Sequence, residues 1–137
     1  MKLTVFILSL ILFQPAFAAP EAKEEIEKAV KANMSYLEQE DPDGPMSTIH
    51  TQSLSYKPTK NALAQLFGAY KLSYKLISYE FIVVDRGLAY VRVKQRTKKI
   101  SGPAFNNNEV DMVQIFKQED GVWKLWSQAN LTISYIN

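Results

Sequence analysis

The sequence predicts an α+β domain in which two to three N-terminal helices pack on a four-stranded antiparallel sheet. Two observations carry this. Apolar residues recur every 3.6 residues as far as about Lys71 and every second residue from Leu72 onward. Two glycine-containing joints, Asp85-Arg86-Gly87 and Glu119-Asp120-Gly121, then divide the second part at hairpin spacing. Helices that precede a meander, rather than alternate with strands, point to α+β.

The first residues stand apart. Lys2 is followed by an apolar run from Leu3 to Phe13 and by Ala16-Phe17-Ala18, a small-x-small cleavage site. This is the layout of a secretory signal peptide over residues 1–18, and the run is too short to span a bilayer. Residues 19–137 then form one domain, expected to be exported, periplasmic or secreted, with no membrane span once the signal is cleaved.

From Pro20 an apolar stripe of Ile26, Ala29, Val30, Met34 and Leu37 defines the first helix, with Glu21, Glu24 and Glu25 at its dipole-positive start. It must end near Asp41-Pro42, because a residue before proline resists the α region. The segment MSTIHTQSLSY reads as a brief helix turning into a loop. Thr59 is the expected cap of the next helix, whose stripe is Leu63, Leu66, Phe67 and Tyr70. Strands are expected at about 72–84, 88–100, 109–118 and 122–135.

Composition narrows the chemistry. The absence of cysteine excludes disulfides, thiolate metal sites and cysteine nucleophiles, and the single histidine, His50, excludes a multi-histidine metal centre. No cofactor is expected. Residues 19–43 hold three lysines against eight carboxylates, whereas residues 44–137 hold twelve cations against six. Between Asp43 and Glu80 there is no carboxylate at all.

The most basic stretch, VRVKQRTKKI, alternates. Ala89, Val91, Val93, Gln95 and Thr97 share one face; Tyr90, Arg92, Lys94, Arg96 and Lys98 share the other. That is a half-buried antiparallel strand with a wet cationic face. A nucleic-acid partner is not expected, since the chain is nearly neutral and no recognition motif accompanies the stripe.

The phrases IHTQSLSY (49–56), LFGAYKLSYKL (66–76), VRVKQRTKKISGPAFNNN (91–108) and DGVWKLW (120–126) resemble small bacterial members of the nuclear transport factor 2-like superfamily, over about residues 22–135. That superfamily includes ketosteroid isomerases, SnoaL-like cyclases and scytalone dehydratase. The resemblance implies a cystatin-like cone, a strongly curved sheet wrapped around the helices with an apolar cavity at its open end, and dimerisation through the sheet. The tripeptides Asn33-Met34-Ser35 and Asn130-Leu131-Thr132 match a glycosylation sequon, which matters only in a eukaryotic secretory pathway and is discounted because the resemblance is to bacterial members.

The isomerase pattern implied by the resemblance needs a carboxylate base near the end of the helical section, a tyrosine on the first helix and a protonated acid on a late strand. Tyr36 suits the tyrosine; the base falls in the carboxylate-free stretch; and parity puts Asp111 opposite the cavity-facing Met112, Gln114 and Phe116. The leading expectation is therefore a non-catalytic domain that binds a small apolar or amphipathic ligand or acts as a homodimeric interaction module. Tyr36, His50, Tyr56, Gln95 and Gln114 are its candidate ligand contacts. A SnoaL-like lyase, isomerase or cyclase using His50 and Tyr36 as acid and base is the alternative. A third reading is an envelope or polyanion adaptor using Arg92, Lys94, Arg96 and Lys98.

Overall fold

The computed structural model describes residues 19–137; the expected signal segment lies outside the described residues. Three helices precede four strands: α1 (Ala19–Glu38), α2 (Gly44–Ser47), α3 (Tyr56–Ala69), β1 (Lys71–Asp85), β2 (Leu88–Ser101), β3 (Asn108–Glu119) and β4 (Val122–Tyr135). The strands form one antiparallel sheet in the order β1-β2-β3-β4.

Helix α1 ends where the proline demands. Glu40 takes a left-handed φ of 55°, and Asp41 N–H donates to the Tyr36 carbonyl at 3.1 Å. The Asp41 carboxylate then accepts from Asp43 N–H and Gly44 N–H, which turns the chain into α2. Gly44 packs against the Tyr36 ring so closely that a Cβ there would overlap Tyr36 Cγ.

Helix α3 starts three residues before the expected Thr59 cap. Ser53 Oγ accepts from Ser55 N–H and folds the chain into the first turn at Tyr56. Pro58 sits inside that turn, where its missing N–H costs nothing. Thr59 therefore belongs to the helix body.

Both short hairpins turn as the sequence indicates. Arg86 and Gly87, and likewise Asp120 and Gly121, all have positive φ, the requirement of a two-residue loop whose twist matches its strands. Register shifts occur twice along β1 beyond its first residue, at Ile77 and Ile82, and twice along β4, at Trp126 and Leu131. Each inserts an extra residue, and such bulges bend a strand and increase its twist.

The core lies between α1 and the inner face of the sheet. Ala22, Ile26, Val30 and Met34 project one stripe of α1 onto Ala89, Val91 and Val93 of β2, with Met112, Phe116 and Trp123 beside them. Ile26, Val91 and Val93 are fully buried. A second cluster, Met46, Ile49 and Leu63, holds α2 and α3 together at the other end.

Gly44→Ala is expected to lower unfolding stability by about 1–3 kcal/mol, the usual range for overpacking. Urea unfolding checks this. The same substitution in a Tyr36→Ala background should cost clearly less, since the ring it strikes is gone.

Candidate functional site

Helix α1 covers the lower part of the sheet, and the helices leave a cavity of about 310 Å³ against the upper part. Ala29, Val30, Asn33, Met34 and Leu37 of α1 form one wall. Pro45, Thr48, Ile49, Ser55, Thr59 and Leu63 close the helical end. The sheet contributes Gln95, Met112, Gln114, Phe116, Leu125, Ser127 and Gln128. Gln95 and Gln114 thus stand where strand parity puts them. Tyr36, His50 and Tyr56 are not part of this wall: Tyr36 packs on Gly44, and Tyr56 packs against the Met46–Ile49–Leu63 cluster.

Several of the wall's polar groups are engaged within the protein. Asn33 Nδ2 donates to Thr48 Oγ1 at 2.7 Å, and that hydroxyl donates to the Pro45 carbonyl at 2.7 Å. Gln95 Nε2 donates to Thr97 Oγ1 at 3.2 Å. Gln114 Nε2 donates to Gln128 Oε1 at 3.3 Å and lies 3.6 Å from Met112 Sδ. Among the described residues, every side chain that lines the cavity is uncharged.

His50 lies behind this wall, in the loop that joins α2 to α3. The loop adds to the edge of β4: His50 N–H donates to the Leu125 carbonyl at 2.9 Å, and Leu125 N–H donates to the Thr48 carbonyl at 2.8 Å. Ser53 Oγ donates to the Trp126 carbonyl at 2.7 Å. The His50 ring is buried edge-on against Trp126, whose other contact is the Lys117 ammonium, 4.4 Å from its ring.

A carboxylate stands near His50, but in the wrong role for catalysis. Glu119 Oε1 is 3.6 Å from His50 Nδ1, yet Nδ1 already accepts a hydrogen bond from Gln52 N–H at 3.2 Å and so offers Glu119 no proton. Glu119 instead accepts from the Thr51 hydroxyl and backbone N–H and lies 3.0 Å from Lys124 Nζ. The Thr51 hydroxyl, with Lys124 second, pulls the Glu119 carboxyl down to about 2 from an ordinary 4.5. This carboxylate fastens the loop to the β3–β4 hairpin.

The cationic stripe occupies the opposite, convex face and is answered by β3. Arg92 binds Asp111 through two hydrogen bonds of 2.9 and 2.7 Å. Arg96 donates twice to Glu109, at 2.8 and 2.6 Å, and Lys94 Nζ is 3.3 Å from the same carboxylate. Hydrogen bonds from Arg96 and from Arg92 hold the Glu109 and Asp111 carboxyls, respectively, below their ordinary values. Lys98 is exposed.

Sequence reasoning missed Asn33, Thr48 and Gln128. Asn33 falls on the same helical face as Val30 and Leu37, a position signalled by the stripe once its neighbours are known. Gln128 follows the Trp126 bulge, which inverts the parity of β4 and hides its direction from alternation alone.

The chain matches, over residues 28–136, the family model described as the anti-sigma-I factor RsgI9, C-terminal domain. No curated protein matches it in sequence. Among solved structures, a conserved protein from Planctomyces limnophilus superposes with a TM-score of 0.72 at 18% identity, covering 85% of this chain and 99% of that one. A cystatin-like protein from Caulobacter vibrioides gives 0.65 at 13% identity, covering 85% and 91%. An NTF2-like protein from Pseudomonas putida gives 0.64 at 12% identity, covering 80% and 84%. The fold is therefore the nuclear transport factor 2-like, cystatin-like one, and the chain belongs to the family of RsgI9 C-terminal domains.

Because the Glu119 carboxyl is held below its ordinary value, the stability it contributes is complete above about pH 4.5 and is lost as the pH falls toward about 2. Glu119→Gln should flatten that acid limb while changing the urea midpoint less at pH 3 than at pH 7. An unchanged difference between wild type and variant at the two pH values would contradict the loop-fastening role.

Proposed function

We propose that this member of the RsgI9 C-terminal domain family is a non-catalytic recognition domain that holds a small apolar or amphipathic ligand in the cavity between α1–α3 and the sheet. One observation carries the reading: the cavity joins an apolar lining to a few neutral amides and hydroxyls. Its volume, about 310 Å³, falls at the small end of ligand sites. General acid–base catalysis uses a side chain that titrates near the working pH, and a serine or threonine nucleophile needs such a base beside it. The nearest candidates face elsewhere: His50 and Glu119 behind the loop, Glu109 and Asp111 on the convex face.

The family name supports the same direction. Its description attaches the domain to the C-terminus of an anti-sigma-I factor, a regulator, where a domain that binds and reports fits better than one that converts a substrate. The signal-like residues 1–18 support an exported setting. A homodimer through the convex face is part of this reading. There the half-buried Tyr90, Val113 and Ile115 lie beside Arg92 and Arg96, each already paired with a carboxylate of β3, and offer an apolar centre to a copy of the same face. The polyanion reading is less favoured, since Arg92, Lys94 and Arg96 already have carboxylate partners.

Native mass spectrometry of the protein purified gently from an exporting host tests this. The expected species is a dimer with a small added mass per chain that leaves on denaturation. A bare protein that also fails to take up an apolar fluorescent probe would overturn the ligand-binding reading.

A further inference from the structure

We propose that the amphipathic ligand is a stretch of extended polypeptide, which adds to the free half of the β4 edge and seats one large apolar side chain in the cavity beside it. This rests on the reading of the cavity as a recognition site and names the class of molecule that enters it.

The inference starts from an unpaired edge. β4 closes one side of the sheet. Its first half is taken by the chain's own extended loop, which pairs in parallel at Ile49 and Leu125 and ends where Ser53 Oγ donates to the Trp126 carbonyl. Beyond that point residues 128–135 are exposed, and among the described residues their backbone bonds only to β3. The outward N–H and C=O groups of such a strand are a template for another. Edge strands are commonly blunted by charge or proline, and residues 125–137 contain neither. The β1 edge is blunted: it carries Lys71, Lys75, Glu80 and Asp85, and Glu38 occupies its Tyr74 N–H.

The cavity opens at the same place. Of the residues that line it, the exposed ones are Ser55, just before α3, and Gln128, where the free edge begins. Behind them Met34, Leu63 and Phe116 make the wall apolar. A segment added to the edge turns alternate side chains to the inner face of the sheet, and the one level with Gln128 meets the mouth. The volume of about 310 Å³ is small for a free ligand and suits a single large side chain. The Ser55, Thr59 and Ser127 hydroxyls both donate and accept, which matches a peptide group. Main-chain hydrogen bonds then supply affinity and the pocket supplies selectivity.

A second copy of the chain fits this edge less well. Two β4 strands would each be bent and twisted by the bulge at Leu131, whereas a short flexible segment follows the bend.

Short acetylated and amidated peptides of serine and threonine, with leucine, phenylalanine or tryptophan at the centre, test this against the purified protein. An alanine-centred peptide and a fully N-methylated copy of the tightest binder are the controls. Fluorescence anisotropy should show at least one of the three binding about tenfold or more tighter than the alanine peptide, the effect of burying a large side chain. N-methylation should weaken it by about tenfold or more, since the main-chain donors are lost. Amide hydrogen exchange should slow at residues 128–135 when the peptide binds. An N-methylated peptide that binds as tightly as its parent, or exchange unchanged at 128–135, would overturn strand addition while leaving the cavity a ligand site. So would failure of all three peptides with a protein that still takes up Nile red. If Nile red also fails to bind, the cavity reading itself falls. Exchange at 128–135 that is slow without peptide and quickens on dilution would assign the edge to a second copy instead.

Discussion

The contact between one stripe of α1 and the inner face of β2 is the constraint from which the rest follows. Ala22, Ile26, Val30 and Met34 meet Ala89, Val91 and Val93, and this seam holds several of the most deeply buried side chains. A four-stranded meander has two faces, and among the described residues the longest helix, α1, is packed on one of them. Burying the inner face leaves the outer one wet, so the outer positions of β2 must be polar. Burying it from below also leaves the upper half of the inner face uncovered. The cavity is what remains when a 20-residue helix is laid across strands of 12 to 15 residues.

That geometry also decides what becomes of the edges. β1 is guarded: α1 lies against it, Glu38 accepts from Tyr74 N–H at 2.9 Å, and the Tyr79 hydroxyl donates to the Lys23 carbonyl at 2.9 Å. Burial, with Glu38 and Glu27 respectively adding to it, pushes the Tyr74 and Tyr79 phenols up to about 12. The opposite edge, β4, is covered only over its first half, by the loop carrying His50. The sole histidine of the chain therefore serves as packing beneath a strap. Its Nδ1 is committed to Gln52 N–H, the nearby carboxylate is committed to Thr51 and Lys124, and the ring rests on Trp126.

The fold was largely legible because its signals are local. The change of period from 3.6 to 2 at Leu72, the two hairpin joints and the alternation along 89–98 each depend on residues close in sequence, and the structure has them where they were expected. The start of α3 was not legible, since Ser53 folding onto Ser55 N–H is a choice between neighbouring caps that propensity does not rank. The site was legible only in part. Gln95 and Gln114 follow from strand parity. Asn33 meeting Thr48, fifteen residues away, and Glu119 meeting Thr51, sixty-eight away, are tertiary pairings that no window of sequence contains. Bulges compound the difficulty, because one inserted residue at Trp126 turns every later side chain of β4 to the other face.

The placement of charge ties these threads together. Two carboxylates of β3, Asp111 beside the cavity-lining Met112 and Glu109 beside the core-packed Val110, project to the convex face, where Arg92 and Arg96 fix them as ions. Strand alternation makes that separation strict: Met112 can face inward only if Asp111 faces out. A single-residue slip of β3 would turn both acids to the inner face and set Met112 in water, at the cost of the Arg92–Asp111 and Arg96–Glu109 ion pairs and a core methionine. The ion pairs on the outer face thus hold the register that keeps the inner face neutral. Along that inner face the cavity keeps amides and hydroxyls as its polar groups.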